Sequence, residues 1–218
     1  MTSLTPTEQL YSLYLAWEKN GSHAWPLAWL ALEQGRPDIT VEVCPVDQRK
    51  AFARELLRKV AQQPDPTLRF GLGFLYFKST RYQAAILQFA RVSATSEVHP
   101  WAVHLTGLCY RNLGQPGIAL DCFRQALELI EAQPEEHLEV FFHLAGALYQ
   151  AGKYHECLTI LERQLQLDPQ DAEVARRIDQ VRRMLAGGPG PRGPASLAAA
   201  LPGTIRPIDA ISRLQVSA

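Results

Sequence analysis

Two stretches of this chain align without a gap at an offset of 34 residues, one starting at Pro66 and the other at Pro100. Gly73 falls on Gly107, Tyr76 on Tyr110, Ala85 on Ala119 and Phe89 on Phe123. A third copy begins at Leu138, with Ala145 at the small position, Leu148 at the tyrosine position, Gly152 at a turn and Pro169 at the end. A period of this length marks an array in which each unit buries its apolar face against the next, so the repeat decides the fold class before composition is consulted.

The pattern resembles the tetratricopeptide repeat (TPR), a helix–turn–helix unit. That family places a small residue where Gly73, Gly107 and Ala145 stand, and a large one at Tyr76, Tyr110 and Leu148. It places Ala at Ala85 and Ala119 and a bulky residue at Phe89, Phe123 and Leu161. Small residues let the two helices of a unit approach closely, while bulky ones fill the seam to the next unit. Two departures stand out. Cys157 replaces the Ala of the third copy, and that copy starts 38 residues after the second. The four extra residues fall around Glu131 to His137, where they either lengthen a helix or bulge the turn between repeats. The resemblance implies an all-α solenoid of about three repeats, 66–99, 100–137 and 138–169.

Outside the repeats the reading rests on caps and periodicity. After Asp168 and Pro169, residues 170–186 read as a capping helix with Val174, Ile178, Val181 and Leu185 as its stripe and Arg176, Arg177, Arg182 and Arg183 facing water. Residues 187–218 carry five Gly and five Pro and read as a disordered tail, in which Ile208, Ile211 and Leu214 could form an internal plug. Residues 1–65 read as an N-terminal helical extension or a degenerate repeat. Thr7 caps a helix through Lys19, a second helix spans Ala24 to Gln34, and a third runs from Asp47 to Gln62 with Phe52, Leu56, Leu57 and Val60 inward. Between the last two, the β-branched alternation from Pro37 to Pro45 predicts a loop or a short extended segment.

In the family, positions 2, 5, 9, 12 and 13 of each copy point into a concave groove. The resemblance therefore implies a groove of Thr67, Phe70, Phe74, Phe77 and Lys78, then Trp101, His104, Leu108, Arg111 and Asn112, then Glu139, Phe142, Gly146, Tyr149 and Gln150. The cationic and amide clamp with which some family members hold an acidic peptide terminus is missing, because Phe70, Phe74, His104, Leu108, Phe142 and Gly146 occupy its positions. What remains is an aromatic trough edged by Lys78, Arg111 and Asn112, suited to an apolar or amphipathic peptide segment of a partner protein. His104 on that face is also a candidate pH-responsive lining residue. More loosely, this groove chemistry is similar to that of bacterial type III secretion chaperones, which hold hydrophobic translocator subunits before export and act in virulence.

Charge and motifs narrow the remaining classes. With 22 Lys+Arg against 22 Asp+Glu the chain lacks the basic excess of a nucleic-acid binder and the polybasic attraction to a membrane. The start has no signal-like pattern, and Ala24 to Leu32 is broken by Pro26 and too short to span a bilayer, so a cytoplasmic protein without membrane insertion is expected. None of the six histidines pairs with Cys, Asp or Glu at a metal-ligand spacing, and phosphate loops and nucleophile elbows are missing, so no enzyme activity, metal or cofactor is expected. Cys44, Cys109, Cys122 and Cys157 lie far apart and read as free thiols. Two roles stay open: a chaperone of a type III secretion substrate, or a TPR scaffold subunit of a multiprotein complex. Trp17, Trp25 and Trp29 offer apolar surface for a homodimer through the N-terminal helices.

Overall fold

A computed structural model describes residues 9, 12, 24–34, 36–44, 46–131 and 134–187. The described residues form ten α-helices and a 3-10 turn: α1 Ala24–Glu33, α2 Pro37–Val43, α3 Arg49–Gln62, α4 Pro66–Lys78, α5 Tyr82–Phe89, α6 His99–Asn112, α7 Pro116–Leu129, the 3-10 turn Pro134–His137, α8 Leu138–Gln150, α9 Tyr154–Leu167 and α10 Ala172–Leu185. The class is all-α, of the helix–turn–helix solenoid kind. Residues group into two compact units that divide between Leu105 and Thr106, within α6.

The helices start and stop where local chemistry dictates. Asp65 caps α4 by accepting from the Leu68 N–H at 2.9 Å, and Asp171 caps α10 by accepting from the N–H groups of Glu173 and Val174 at 3.0 Å. Pro37, Pro66 and Pro116 each open a helix, where the missing N–H costs nothing. The turns inside the three pairs are copies of one another. The N–H groups of Arg81, Gln115 and Lys153 each reach back at 2.9 Å to the carbonyls of Tyr76, Tyr110 and Leu148. The residue before each donor is left-handed, with φ +57° at Thr80, +76° at Gly114 and +72° at Gly152. Two copies meet that demand with glycine; the first holds a β-branched threonine in a region such residues rarely enter.

In the first unit α4 is the hub, packed against α1, α2, α3 and α5. Its core joins Leu27, Ala31 and Leu32 of α1, Ile39, Val41 and Val43 of α2, Phe52, Leu56 and Val60 of α3, and Leu68, Leu72 and Leu75 of α4. The expected loop or extended segment at Pro37 to Pro45 is instead α2. Burial of Ile39, Val41 and Val43, Pro37 at the start and the Thr40 hydroxyl donating to the Ala28 carbonyl at 2.9 Å outweigh β-propensity. The α1–α2 turn is closed by the Arg36 N–H on the Ala31 carbonyl at 2.7 Å, the same span as the repeat turns. Leu57, expected inward, is 45% exposed because only the stripe of Phe52, Leu56 and Val60 meets the core.

In the second unit α7 packs on α8, α8 on α9 and α9 on α10. Phe123 and Leu161 are fully buried beside Ala119 and Cys157, and the Cys157 thiol contacts the Ala145 carbonyl at 3.2 Å. Between the second and third copies α7 has 14 residues against eight in α5, and the 3-10 turn Pro134–His137 leads into α8, so relative to the first copy the extra residues go with a longer second helix. In α10, Val174, Ile178 and Val181 are buried, while Leu185 is 36% exposed. Arg177, expected to face water, is fully buried: it lies on the stripe itself, three residues after Val174 and four before Val181. The four cysteines are free thiols, with Cys44, Cys109 and Cys157 buried. The expectations for the helix from Thr7 to Lys19, for Trp17 and for the tail 188–218 concern residues outside those described.

The close approach of paired helices has a direct test. A Cβ on Gly73 would lie 2.5 Å from the Phe89 ring and one on Gly107 2.7 Å from that of Phe123, whereas Gly146 has nothing within 4 Å. Gly107→Ala is expected to lower stability by roughly 1–2 kcal/mol, the clash with a buried ring exceeding the helix-propensity gain. Gly146→Ala should raise it by about 0.5–1 kcal/mol. Urea-unfolding midpoints of the two variants, moving in opposite directions, check both.

Candidate functional site

The first unit carries most of the predicted aromatic face. Along α4 and into α5 the rings form a ladder: Phe70 to Phe74 at 6.5 Å, Phe74 to Phe77 at 6.3 Å and Phe77 to Tyr82 at 6.0 Å between centroids. The lower end is anchored, since Phe70 is buried and packs on Phe89 at 5.8 Å. Phe74 and Phe77 are half-buried, and the exposed Lys78 places its ammonium 5.4 Å from the Phe74 centroid. Trp101 is half-buried beside the buried His104, with ring centroids 6.0 Å apart. Thr67 is half-buried at the start of α4.

The second unit holds the remainder. Leu108, Phe142 and Tyr149 are buried, Arg111, Glu139 and Gly146 half-buried, and Asn112 and Gln150 exposed. Asn112 donates its side-chain amide to the Leu108 carbonyl at 2.8 Å, which occupies one of its two donor hydrogens. Tyr149 meets Tyr154 edge-on at 5.3 Å. Of the expected groove residues, the structure thus leaves Phe74, Phe77, Lys78, Trp101, Arg111 and Asn112 with appreciable surface, and sets Phe70, His104, Leu108, Phe142 and Tyr149 into the interior.

The second unit also contains a polar cluster that sequence reasoning missed. The Arg177 guanidinium lies 4.0 Å from the Phe142 ring centroid and pairs with Glu173 at 2.7 Å. Hydrogen bonds from Arg176 and Arg177 hold the Glu173 carboxyl down at about 2. The His143 ring is stacked on that of Phe123 at 5.9 Å and edge-on to Phe142 at 5.5 Å. Desolvation, with Arg111 and Arg177 adding positive potential, pushes the His143 imidazole down to about 3. Burial raises the Glu139 carboxyl and lowers Arg111. The signal for Arg177 was its place on the apolar stripe; its charge had masked it.

Among the described residues there is no group of three or more His, Cys, Asp or Glu able to hold a metal. Burial pushes the thiols of Cys109 and Cys157 up to about 12, far from a nucleophilic thiolate. No described helix is long and apolar enough to cross a membrane. Trp29 of the expected dimer surface is tilted against Phe52 at 4.8 Å, with the Lys59 ammonium 4.7 Å from its ring. The side chain of Trp25 lies outside the described residues.

Comparison with known proteins agrees with this architecture. A family model described as anaphase-promoting complex, cyclosome, subunit 3 (ANAPC3) matches residues 78–164, from the end of α4 through most of α9. The chain is similar in fold to YrrB, a TPR protein with an unusual peptide-binding site, at 19% identity, covering 85% of this chain and 87% of that one with a TM-score of 0.55. It is similar also to TTC0263, a thermophilic TPR protein of Thermus thermophilus, at 19% identity, 81% and 90% coverage and a TM-score of 0.52. The Cut9–Hcn1 hetero-tetramer of APC/C matches at 20% identity over 74% of this chain and 30% of that one, with a TM-score of 0.51. The fold these define is the tetratricopeptide fold.

The buried imidazole predicts an acid sensitivity whose sign is fixed. Below its ordinary value of 6.5 an unfolded His143 takes up a proton that the folded one refuses until about 3, so its contribution is intact above 6.5 and is lost as pH falls toward 3. At pH 5 the expected loss is roughly 2 kcal/mol. Thermal melts between pH 7 and 5 should show this drop, and His143→Gln should flatten it; Glu173 adds its own loss only below its ordinary 4.5.

Proposed function

We propose that the chain is a non-enzymatic protein-interaction module whose α4 face receives an apolar or amphipathic segment of a partner protein. The observation that carries this reading is the pair of half-buried rings Phe74 and Phe77 capped by the exposed Lys78. Phe70 supports them from beneath, so the rings are held in place before any ligand arrives and little side-chain entropy is lost on binding. Apolar area for one or two anchoring side chains sits beside a cation for a carboxylate or carbonyl, the usual make-up of a peptide hot spot. No cofactor or metal enters this reading.

Two finer roles use the same face. A cytoplasmic chaperone of a type III secretion substrate is supported by the aromatic groove chemistry and the absence of a carboxylate clamp. A subunit of a multiprotein assembly is favoured by the match of residues 78–164 to the ANAPC3 model. A homodimer through the N-terminal helices is compatible with the chaperone role.

Phe74→Ala/Phe77→Ala is expected to weaken partner capture at least tenfold while leaving helicity unchanged, because both rings are only half-buried. Capture from native lysate by wild type and variant, read by quantitative mass spectrometry with circular dichroism alongside, checks it. One apolar secreted partner lost in the variant supports the chaperone role. A multi-subunit assembly lost in the variant supports the scaffold role, and partners retained by both baits remove this face as the working surface.

A further inference from the structure

A second surface lies in the second unit, on the side of the second helices of the pairs, and it does not depend on the groove reading. Between α7 and α9, over α8, is an open cavity of about 300 Å³ lined by Leu127, Leu144, Leu148 and Ile160 and edged by Arg124, Glu128, Glu131, Glu156 and Thr159. Leu127, Leu144 and Leu148 are buried and make an apolar floor; Glu128, Glu131 and Thr159 are exposed at its mouth. It adjoins the irregular connection between the second and third copies, since Glu131 begins the extra residues that break the repeat register.

The electrostatics of the mouth are one-sided. Arg124 bridges from α7 to Glu156 of α9 at 2.6 Å, and Lys153 approaches the same carboxylate at 3.6 Å, so Glu156 is answered. Glu128 and Glu131 take part in no ion pair among the described residues. Both stand at the carbonyl end of α7, whose last turn holds no basic residue. Negative charge at the negative end of a helix dipole is unfavourable and is relieved by a cation placed there. An apolar floor about large enough for one or two leucine-sized side chains, with two unanswered carboxylates beside it, fits a basic amphipathic segment.

We infer that this cavity docks a partner-protein segment presenting a large apolar side chain flanked by Lys or Arg, the apolar group resting on Leu127, Leu144 and Leu148 and the cations meeting Glu128 and Glu131. The test uses the full chain and a short fluorescein-labelled peptide with a central leucine pair and two lysines on each side, compared with its glutamate-for-lysine counterpart. Fluorescence anisotropy should show binding of the lysine peptide only, weakening with added salt. The Ile160 methyl resonance should shift on titration. Glu128→Lys/Glu131→Lys should lower the affinity about tenfold, and Thr159→Trp, an exposed position that fills the mouth, should abolish it. Phe74→Ala/Phe77→Ala should leave it unchanged, which separates this surface from the groove. Binding that is absent, insensitive to the charge of the peptide, or retained by both mouth variants overturns the inference. So does a tenfold gain in affinity on removal of residues 188–218, which would make the chain's own C-terminal segment the occupant. Self-association of the wild type that Glu128→Lys/Glu131→Lys abolishes would equally assign a second copy instead.

Discussion

The contact on which this structure depends is that of a phenyl ring lying on a residue without a side chain. Phe89 covers Gly73 and Phe123 covers Gly107 so closely that a single methyl would have to displace the ring. This lets the two helices of a pair pack backbone to ring, and the spacing then fixes which residues of the first helix can look outward. In the third copy Leu161 replaces the ring and Ala145 the glycine, and the Cys157 thiol reaches the Ala145 carbonyl. The aliphatic version is bulkier on one side and slimmer on the other, so the seam is conserved in volume though not in chemistry.

The repeats were legible in the sequence because small and large residues recur in the same order, 34 residues apart and then 38, and the third turn because Gly152 marks it. The start of α10 was readable from the stop at Asp168 and Pro169 before an apolar stripe. The stretch at Pro37 to Pro45 was not legible: its β-branched residues favour an extended chain locally, and only burial against α1 and α4 makes it a helix. Tertiary packing overrides propensity most easily in a segment this short.

The candidate face was legible in part. The resemblance to the repeat family named its residues, but a family position says which side of a helix a residue occupies and not how much of it a neighbouring helix covers. Phe70 is covered by Phe89 and Phe142 by Arg177, each from a different helix. The misreading of Arg177 has the same origin: a guanidinium was assigned to water by its charge although the stripe placed it inside, and an aromatic face with a carboxylate one turn back makes burial tolerable. The cavity between α7 and α9 was invisible for a different reason, since it is formed by residues from three helices whose separation the sequence does not encode.

The helix packed behind the third pair has a bearing on how such an array can grow. An ordinary capping helix seals its neighbour with aliphatic side chains and would fit behind almost any repeat. Here α10 adds to its buried Val174, Ile178 and Val181 a cation on the ring of Phe142, at the fifth position of the third copy. Neither of the other copies offers a compatible lid seat by the same means: Phe70 is already taken by Phe89, and His104 holds that place in the second. Duplication of the first or second copy upstream would leave this closure untouched. Insertion of a copy directly before α10 would have to bring its own aromatic residue there for Arg177 to rest on, so the third pair and α10 form a matched set.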